Sequence, residues 1–303
     1  MSKRRRAKKL SPWQLPDATG CAKTLRSKAM AGFEDVTGTA FIVAEYRARE
    51  NIEANPLYVD RVVPLFLDER TRQAAEGISA GFPAVEKMVR IRTRYFDDRL
   101  DDQLSHGCRQ VVILGAGLDT RAVRKQSPGV VYFEIDDLNT LSFKKARLAE
   151  RGIDAKITFI PGDYVADDFL RLLEAKGFSF ELPTYFIWEG NTMYLTGAAV
   201  RKVLADIGKR IGQFNLSFDY MAEEVIAHMT GEQATSNFVE RFAAIGAPWR
   251  FGVNDLEALA EEAAMTVADK VRTAELHRAY WPSQPLDSNI YDHYSLCTLQ
   301  PAG

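Results

Sequence analysis

The sequence predicts an α/β fold: a mostly parallel sheet with helices on both faces, a helical N-terminal extension, and a late helical insertion that caps the site. Two observations carry this expectation. From Gln110 onward, short β-branched or aromatic runs alternate with helical stretches, the signature of βαβ units. The runs are also continuously apolar, as strands covered on both faces are. With 303 residues, 46% hydrophobic and 26% charged, the chain has the composition of an ordinary globular protein.

The first third reads as helix. Between about Thr37 and Asn51, the residues Phe41, Ile42, Ala44, Tyr46 and Ala48 form an apolar side with no Gly or Pro after Ala40. After the turn signal Asn55-Pro56 comes a second apolar stretch through Val62, Val63, Leu65, Phe66 and Leu67. A third helix begins near Pro83, where proline suits a first helical turn, and runs through Met88, Ile91, Tyr95, Phe96 and Leu100. Five strands follow: Val111–Leu114, Val130–Phe133, Ile157–Ile160, Tyr185–Trp188 and Phe214–Phe218. Helical stretches at about 119–127, 138–151, 165–177 and 195–211 separate them. A mostly helical excursion at 220–252 ends at Gly246-Ala247-Pro248, and a helix near 254–264 with strands near 266–273 and 294–299 closes the chain. The expected organisation is a basic, disordered tail at 1–20 and a single domain at 21–303. That domain divides into a helical cap (21–105), a cofactor-binding core (106–219), a cap insertion (220–252) and a C-terminal completion of the sheet (253–303).

Charge and composition exclude several function classes. The 39 basic and 41 acidic residues give −2, but Lys3, Arg4, Arg5, Arg6, Lys8 and Lys9 lie in one run. Without them 33 bases face 41 acids, a body near −8, which argues against a nucleic-acid groove across it. The residues after the run are too polar for a signal peptide, and no apolar run approaches the roughly 18 residues of a membrane span. A soluble, cytoplasmic protein is expected. Cys21, Cys108 and Cys297 form no CxxC, and His106, His228, His277 and His293 show no metal-ligand spacing, so no metal site is expected.

In an open α/β sheet, ligands bind at the carboxyl ends of the strands. Four motifs fall there. Gly115-Ala116-Gly117 follows the first strand directly, where glycine permits a sharp turn and close approach of a ligand. The third dinucleotide-fingerprint position is Thr120, and Asp119 stands where a pyrophosphate would rest and would repel it. A cationic ligand without phosphate, such as S-adenosylmethionine, fits better. Glu134-Ile135-Asp136 ends the second strand, where a carboxylate can accept from two ribose hydroxyls. Pro161-Gly162-Asp163-Tyr164 follows the third, with Asp163 able to accept from an adenine amino group and Tyr164 to pack on the base. Trp188-Glu189-Gly190 ends the fourth. Asp119, Glu134, Asp136, Asp163 and Glu189 are thus expected to form a negative rim around one crevice.

The segments GAGLDTR (Gly115 to Arg121), FEID (Phe133 to Asp136), WEGNTMYL (Trp188 to Leu195) and Arg92-Thr93-Arg94 ahead of Phe96-Asp97-Asp98 together resemble the leucine carboxyl methyltransferase family. The resemblance runs from about Gly38 to Leu299. These are class I S-adenosylmethionine-dependent methyltransferases, among them bacterial enzymes that methylate natural-product carboxyls or hydroxyls. The resemblance implies a Rossmann-like, seven-stranded sheet whose last strand is antiparallel, with S-adenosyl-L-methionine over Gly115, Ala116 and Gly117. It implies the ribose near Asp136 or Glu134, the adenine between Asp163 and Tyr164, and the methionine amino group near Glu189. It further implies that an arginine ahead of the first strand holds the methionine carboxylate; Arg92 and Arg94 both fit. Some members use a lysine on the N-terminal helix as a second cofactor contact, where this chain offers Arg47 and Arg49, each either a surrogate for that lysine or, the preferred reading, a surface charge.

The methyl group of S-adenosylmethionine is already activated, so such an enzyme aligns an acceptor and excludes water. A carboxylate acceptor needs no base, whereas a hydroxyl does. Tyr220, Tyr194 and His228 are the candidates for acceptor contact, and Tyr46, Tyr58, Phe66, Phe238, Phe242 and Trp249 for an apolar acceptor pocket. The expected partner is a small-molecule or peptide acceptor, with no nucleic acid or membrane and the oligomeric state open. A nicotinamide-dependent oxidoreductase and a non-catalytic cofactor-binding module are the rival readings.

Overall fold

The protein's computed structural model describes residues 36–303 except Ile245; the basic run at 1–20, Cys21 and the start of the cap lie outside the described residues. One sheet is built from β1 (Gln110–Leu114), β2 (Val131–Asp136), β3 (Ile157–Pro161), β4 (Thr184–Trp188), β5 (Phe214–Met221), β6 (Met265–Arg272) and β7 (Tyr294–Pro301). Their order is β3-β2-β1-β4-β5-β7-β6. The first five strands pair in parallel, and β7 runs antiparallel between β5 and β6. The strand runs read from the sequence are all present, and the last strand is antiparallel.

The middles of β1, β2 and β4 are continuously apolar because alternate residues feed two cores. Val111, Ile113, Tyr132, Tyr185 and Ile187 enter one core, while Val112, Leu114, Phe133, Ile135, Phe186 and Trp188 enter the other. Helices α1 (Val36–Arg49), α2 (Glu69–Ser79) and α3 (Ala84–Ser105) precede the sheet. After β1, β2, β3 and β4 come α4 (Arg121–Arg124), α5 (Leu138–Ala149), α6 (Phe169–Glu174) and α7 (Gly197–Arg210) in turn. Between β5 and β6 lie α8 (Glu223–Ile226), α9 (Gln233–Ala244) and α10 (Leu256–Glu262); between β6 and β7 lie α11 (Thr273–Tyr280) and α12 (Ile290–His293). Local chemistry sets several starts: Asp137, Asp168, Thr196 and Asp255 accept from backbone N–H groups at the beginnings of α5, α6, α7 and α10.

Some elements differ from expectation. The helix after β1 starts only at Arg121, because the Asp119 side chain accepts the Arg121 N–H at 2.6 Å and holds the preceding residues in a turn. Similarly, Asp163 Oδ1 accepts from the N–H groups of Val165 and Ala166 at 2.9 and 3.1 Å, which keeps them out of α6. The apolar stretch near residue 65 forms only a 3-10 turn, Val63–Phe66. The unforeseen helices α2 and α11 bury narrow stripes, Thr71, Ala75 and Ile78 in one and Thr273, Ala274 and His277 in the other, too sparse for an apolar period to stand out.

Strands β2 and β3 lie to one side of β1, and β4 and β5 to the other. That reversal leaves a crevice at the carboxyl ends of β1 and β4, the expected place for a ligand. Among the described residues, no helix is long and apolar enough to cross a membrane.

Candidate active site

A cavity of about 1010 Å³ lies at these strand ends, lined by the residues that follow β1, β2, β3 and β4 and roofed by α1, α3 and α9. This is at the top of the usual range for ligand sites. Its floor is the Gly115-Ala116-Gly117 turn. Gly115 has φ +62°, and a Cβ there would stand 2.5 Å from Asn191 Oδ1, so both conformation and space require glycine. The Gly117 N–H donates to Asp136 Oδ2 at 2.6 Å, tying the end of β2 to the turn.

The two acids of β2 divide. Asp136 lines the cavity, and burial pushes its carboxyl up to about 6, although the N–H groups of Gly117 and Asp137 pull the other way. Glu134, one pleat position earlier, does not line the cavity. It is fully buried and paired with the equally buried Lys144 at 2.6 Å, so of the two β2 acids Asp136 alone faces the cavity. Burial raises the Glu134 pKa against the pull of Lys144. Asp163 and Tyr164 both line the cavity. The buried Tyr164 ring stands edge-on to Trp188, its centroid 6.0 Å away, and its hydroxyl accepts from Trp188 Nε1 and donates to Asn191 Oδ1.

Arg92 and Arg94 are separated by their helix. Arg92 lines the cavity and donates through Nε to Glu189 Oε1 at 3.0 Å and through NH1 to the Tyr294 hydroxyl at 3.2 Å. Gly190, at φ +72°, lies beneath this guanidinium, since a Cβ there would meet Arg92 NH2 at 2.8 Å. Arg94 points elsewhere, pairing with Asp98 and donating to the Leu57 carbonyl at 2.6 Å. Of the two arginines, Arg92 alone lines the cavity.

The negative rim is largely neutralised. Arg121, completely enclosed, binds Asp97 at 2.7 Å, Glu189 Oε2 at 2.6 Å, and Asp119 through both its backbone N–H and its guanidinium. Burial opposes the charge on Arg121, but Asp119, Glu189 and Asp97 hold its pKa well above the ordinary value. Asp119 is therefore a support for Arg121 that also touches the cavity wall. With Glu134 on Lys144 and Asp119 and Glu189 on arginines, Asp136 and Asp163 are the rim acids without a basic side-chain partner among the described ion pairs. For Arg47 the surface-charge reading fails: it is buried, lines the cavity, and donates to the Leu118 carbonyl at 3.0 Å, Asp60 at 2.6 Å and Thr120 at 2.8 Å, bracing the loop after β1 from α1. Arg49 pairs with Glu86 and Glu45 away from the cavity.

Of the acceptor candidates, Tyr194 lines the cavity and the other two do not. Tyr220 packs against Phe218 and borders a separate shallow depression, because neighbouring residues of β5 face opposite sides of the sheet. His228 is exposed in the turn after α8, at φ +57°. Tyr46, Phe238, Phe242 and Trp249 line the cavity as expected, joined by Met88, Met193 and Met221, whereas Tyr58 and Phe66 are buried outside it. Sequence reasoning missed Arg121, Asn191, Tyr294 and Lys144. Arg121 and Asn191 stand inside motifs already singled out, so position could have flagged them; nothing local marks Tyr294 or Lys144.

The profile of the leucine carboxyl methyltransferase family matches residues 40–208, more than half of the chain. A candidate S-adenosyl-L-methionine-dependent methyltransferase of Mycolicibacterium smegmatis is 33% identical over 214 residues, covering 63% of this chain and 68% of that protein. Another from Frankia alni is 34% identical over 184 residues, covering 57% of this chain and 64% of that one. In fold, the crystal structure of a candidate methyltransferase from Thermobifida fusca is similar, with a TM-score of 0.58 at 15% identity over 86% of this chain and 95% of that one. The chain belongs to the leucine carboxyl methyltransferase family.

Proposed function

We propose that the protein is an S-adenosylmethionine-dependent O-methyltransferase that methylates a carboxylate or hydroxyl of a small molecule or peptide. The observation that carries this reading is the convergence, on one cavity, of the Gly115–Gly117 cradle, Asp136, and the Arg92–Glu189 pair. The residues fit the cofactor: a Cβ at Gly115 would fill the cradle, Asp136 offers an acceptor for ribose hydroxyls, and a guanidinium and a carboxylate stand side by side for an amino acid's two charges. S-Adenosylmethionine, when bound, supplies a methyl group activated by its sulfonium. Asp136 would hold the ribose, Asp163 and Tyr164 the adenine, Arg92 the carboxylate and Glu189 the ammonium.

The chain's remaining task is to orient an acceptor oxygen and keep water out. Tyr194 and Tyr294 place hydroxyl-bearing rings on the cavity wall, and Phe238, Phe242, Trp249, Met88, Met193 and Met221 make the rest of that side apolar. The nicotinamide reading is set aside, since family membership points to methyl transfer.

The test has two stages. Calorimetric titration should show saturable binding of S-adenosylhomocysteine and none of NAD; the reverse overturns the reading. Incubation with methyl-labelled cofactor and extracted small molecules should then yield labelled product, base-labile for a methyl ester and base-stable for an ether. Cofactor binding without transfer to any oxygen overturns the O-methyl assignment.

A further inference from the structure

The cofactor reading uses Arg92 and Glu189 directly but leaves out the largest concentration of charge behind them. Arg121 is 2% exposed and sits among Asp97, Asp119 and Glu189, while its NH2 donates to the Thr93 carbonyl at 3.2 Å. The partners come from three parts of the chain: Thr93 and Asp97 from α3, Asp119 from the loop after β1, and Glu189 from the end of β4. A planar guanidinium with donors fixed in a fork can hold such carboxylates at set angles, which a lysine ammonium cannot.

The two oxygens of Glu189 are thereby divided. Oε2 is anchored to Arg121 at 2.6 Å from behind, and Oε1 is bound by Arg92 Nε at 3.0 Å on the cavity side. Without Arg121, Arg92 would be the one remaining side chain bound to the Glu189 carboxylate among the described residues, and the carboxylate would be free to turn onto that guanidinium. Both charges would then be spent on one another.

We propose that Arg121 is a positioning residue that sets selectivity for the amino-acid end of the cofactor, by holding Glu189 as a separate ammonium acceptor beside Arg92. The proposal rests on the reading above that Glu189 receives the ammonium. Asp119 then keeps Arg121 in place, and Asp97 is itself secured by Arg124 at 2.7 and 3.0 Å.

The experiment compares two ligands that differ at this end: S-adenosylhomocysteine and 5′-methylthioadenosine, which lacks both ammonium and carboxylate. Dissociation constants are measured by calorimetry on the whole protein, in the wild type, in R121K, and in the double variant R121Q/D119N. The double variant removes a buried pair together, and Asp97 keeps both its Arg124 bonds, so no buried charge is stranded by the change. In whichever variant folds, S-adenosylhomocysteine should bind at least tenfold more weakly and 5′-methylthioadenosine within about twofold of wild type, as expected for loss of one charge-assisted contact. Equal weakening of both ligands, unchanged preference, or failure of both variants to bind 5′-methylthioadenosine overturns the proposal. Failure of the wild type to bind either ligand overturns the cofactor reading instead.

Discussion

Asp136 offers the sharpest test of the cofactor site, because its charge is poised within reach of ordinary buffers. Burial pushes its carboxyl up to about 6. On the proposed reading ribose hydroxyls would donate to the ionised form, so cofactor affinity should fall as the pH drops through that value. The apparent dissociation constant rises by the factor 1 + 10^(pKa − pH), about 11 at pH 5 against about 1.1 at pH 7 for a pKa near 6. Asp136→Asn keeps one acceptor oxygen and loses the charge. One charge-assisted hydrogen bond is worth about 1.5–3 kcal/mol, so S-adenosylhomocysteine should bind about 10- to 150-fold more weakly at neutral pH. The variant should also lose the acid limb. Asp119, the nearby acid tied to Arg121, titrates well below this window, since that arginine holds its carboxyl down against burial. For folding stability the sign is opposite: a carboxyl whose pKa is raised by folding stabilises the fold below its ordinary range, and that contribution is lost as the pH rises through about 6. Calorimetric titration of S-adenosylhomocysteine from about pH 5 to pH 8 provides the measurement. A flat affinity in the wild type, or an acid limb that survives in Asp136→Asn, would refute the assignment of Asp136 to the ribose.

Four further outcomes follow from named contacts. Arg92→Met should weaken S-adenosylhomocysteine binding by about 100-fold or more, whereas Arg94→Met stays within about threefold, both by calorimetry, because Arg92 alone of the two lines the cavity. Gly115→Ala should lose most cofactor binding and lower the melting temperature, given φ +62° and a clash with Asn191 at 2.5 Å. Lys144→Met strands the buried Glu134 and should cost about 3–5 kcal/mol in urea unfolding, most of it recovered in the Lys144→Met/Glu134→Gln double variant. His228→Ala should leave S-adenosylhomocysteine binding and stability unchanged within error, and a tenfold loss of binding would put that exposed turn back in the site.

How far the site was legible depends on which interactions are local. The glycine turn, Asp136, Asp163, Tyr164 and Glu189 could be placed because each stands at or just beyond the end of a continuously apolar run that is plain in the sequence. Arg92 and Arg94 could not be told apart. Two positions on a helix diverge by about 200°, so one of them had to face away, but which one depends on how α3 packs. Tyr194 and Tyr220 had equal standing as tyrosines after strands; the direction each ring takes was set by the sheet and the turn that carry them.

The sequence by itself determined the sheet, its strand ends and the residues standing on them, since those follow from the covalent order of apolar runs, glycines and acids. Tertiary structure decided the charge of the site. Glu134 meets Lys144 one helical element later, and Asp119 and Glu189, 70 residues apart in the chain, meet on Arg121. A row of acids at strand ends reads as a negative rim until the folded chain brings buried cations against it. Only a low-dielectric interior, where an unpaired charge is too costly to keep, makes those distant pairings obligatory.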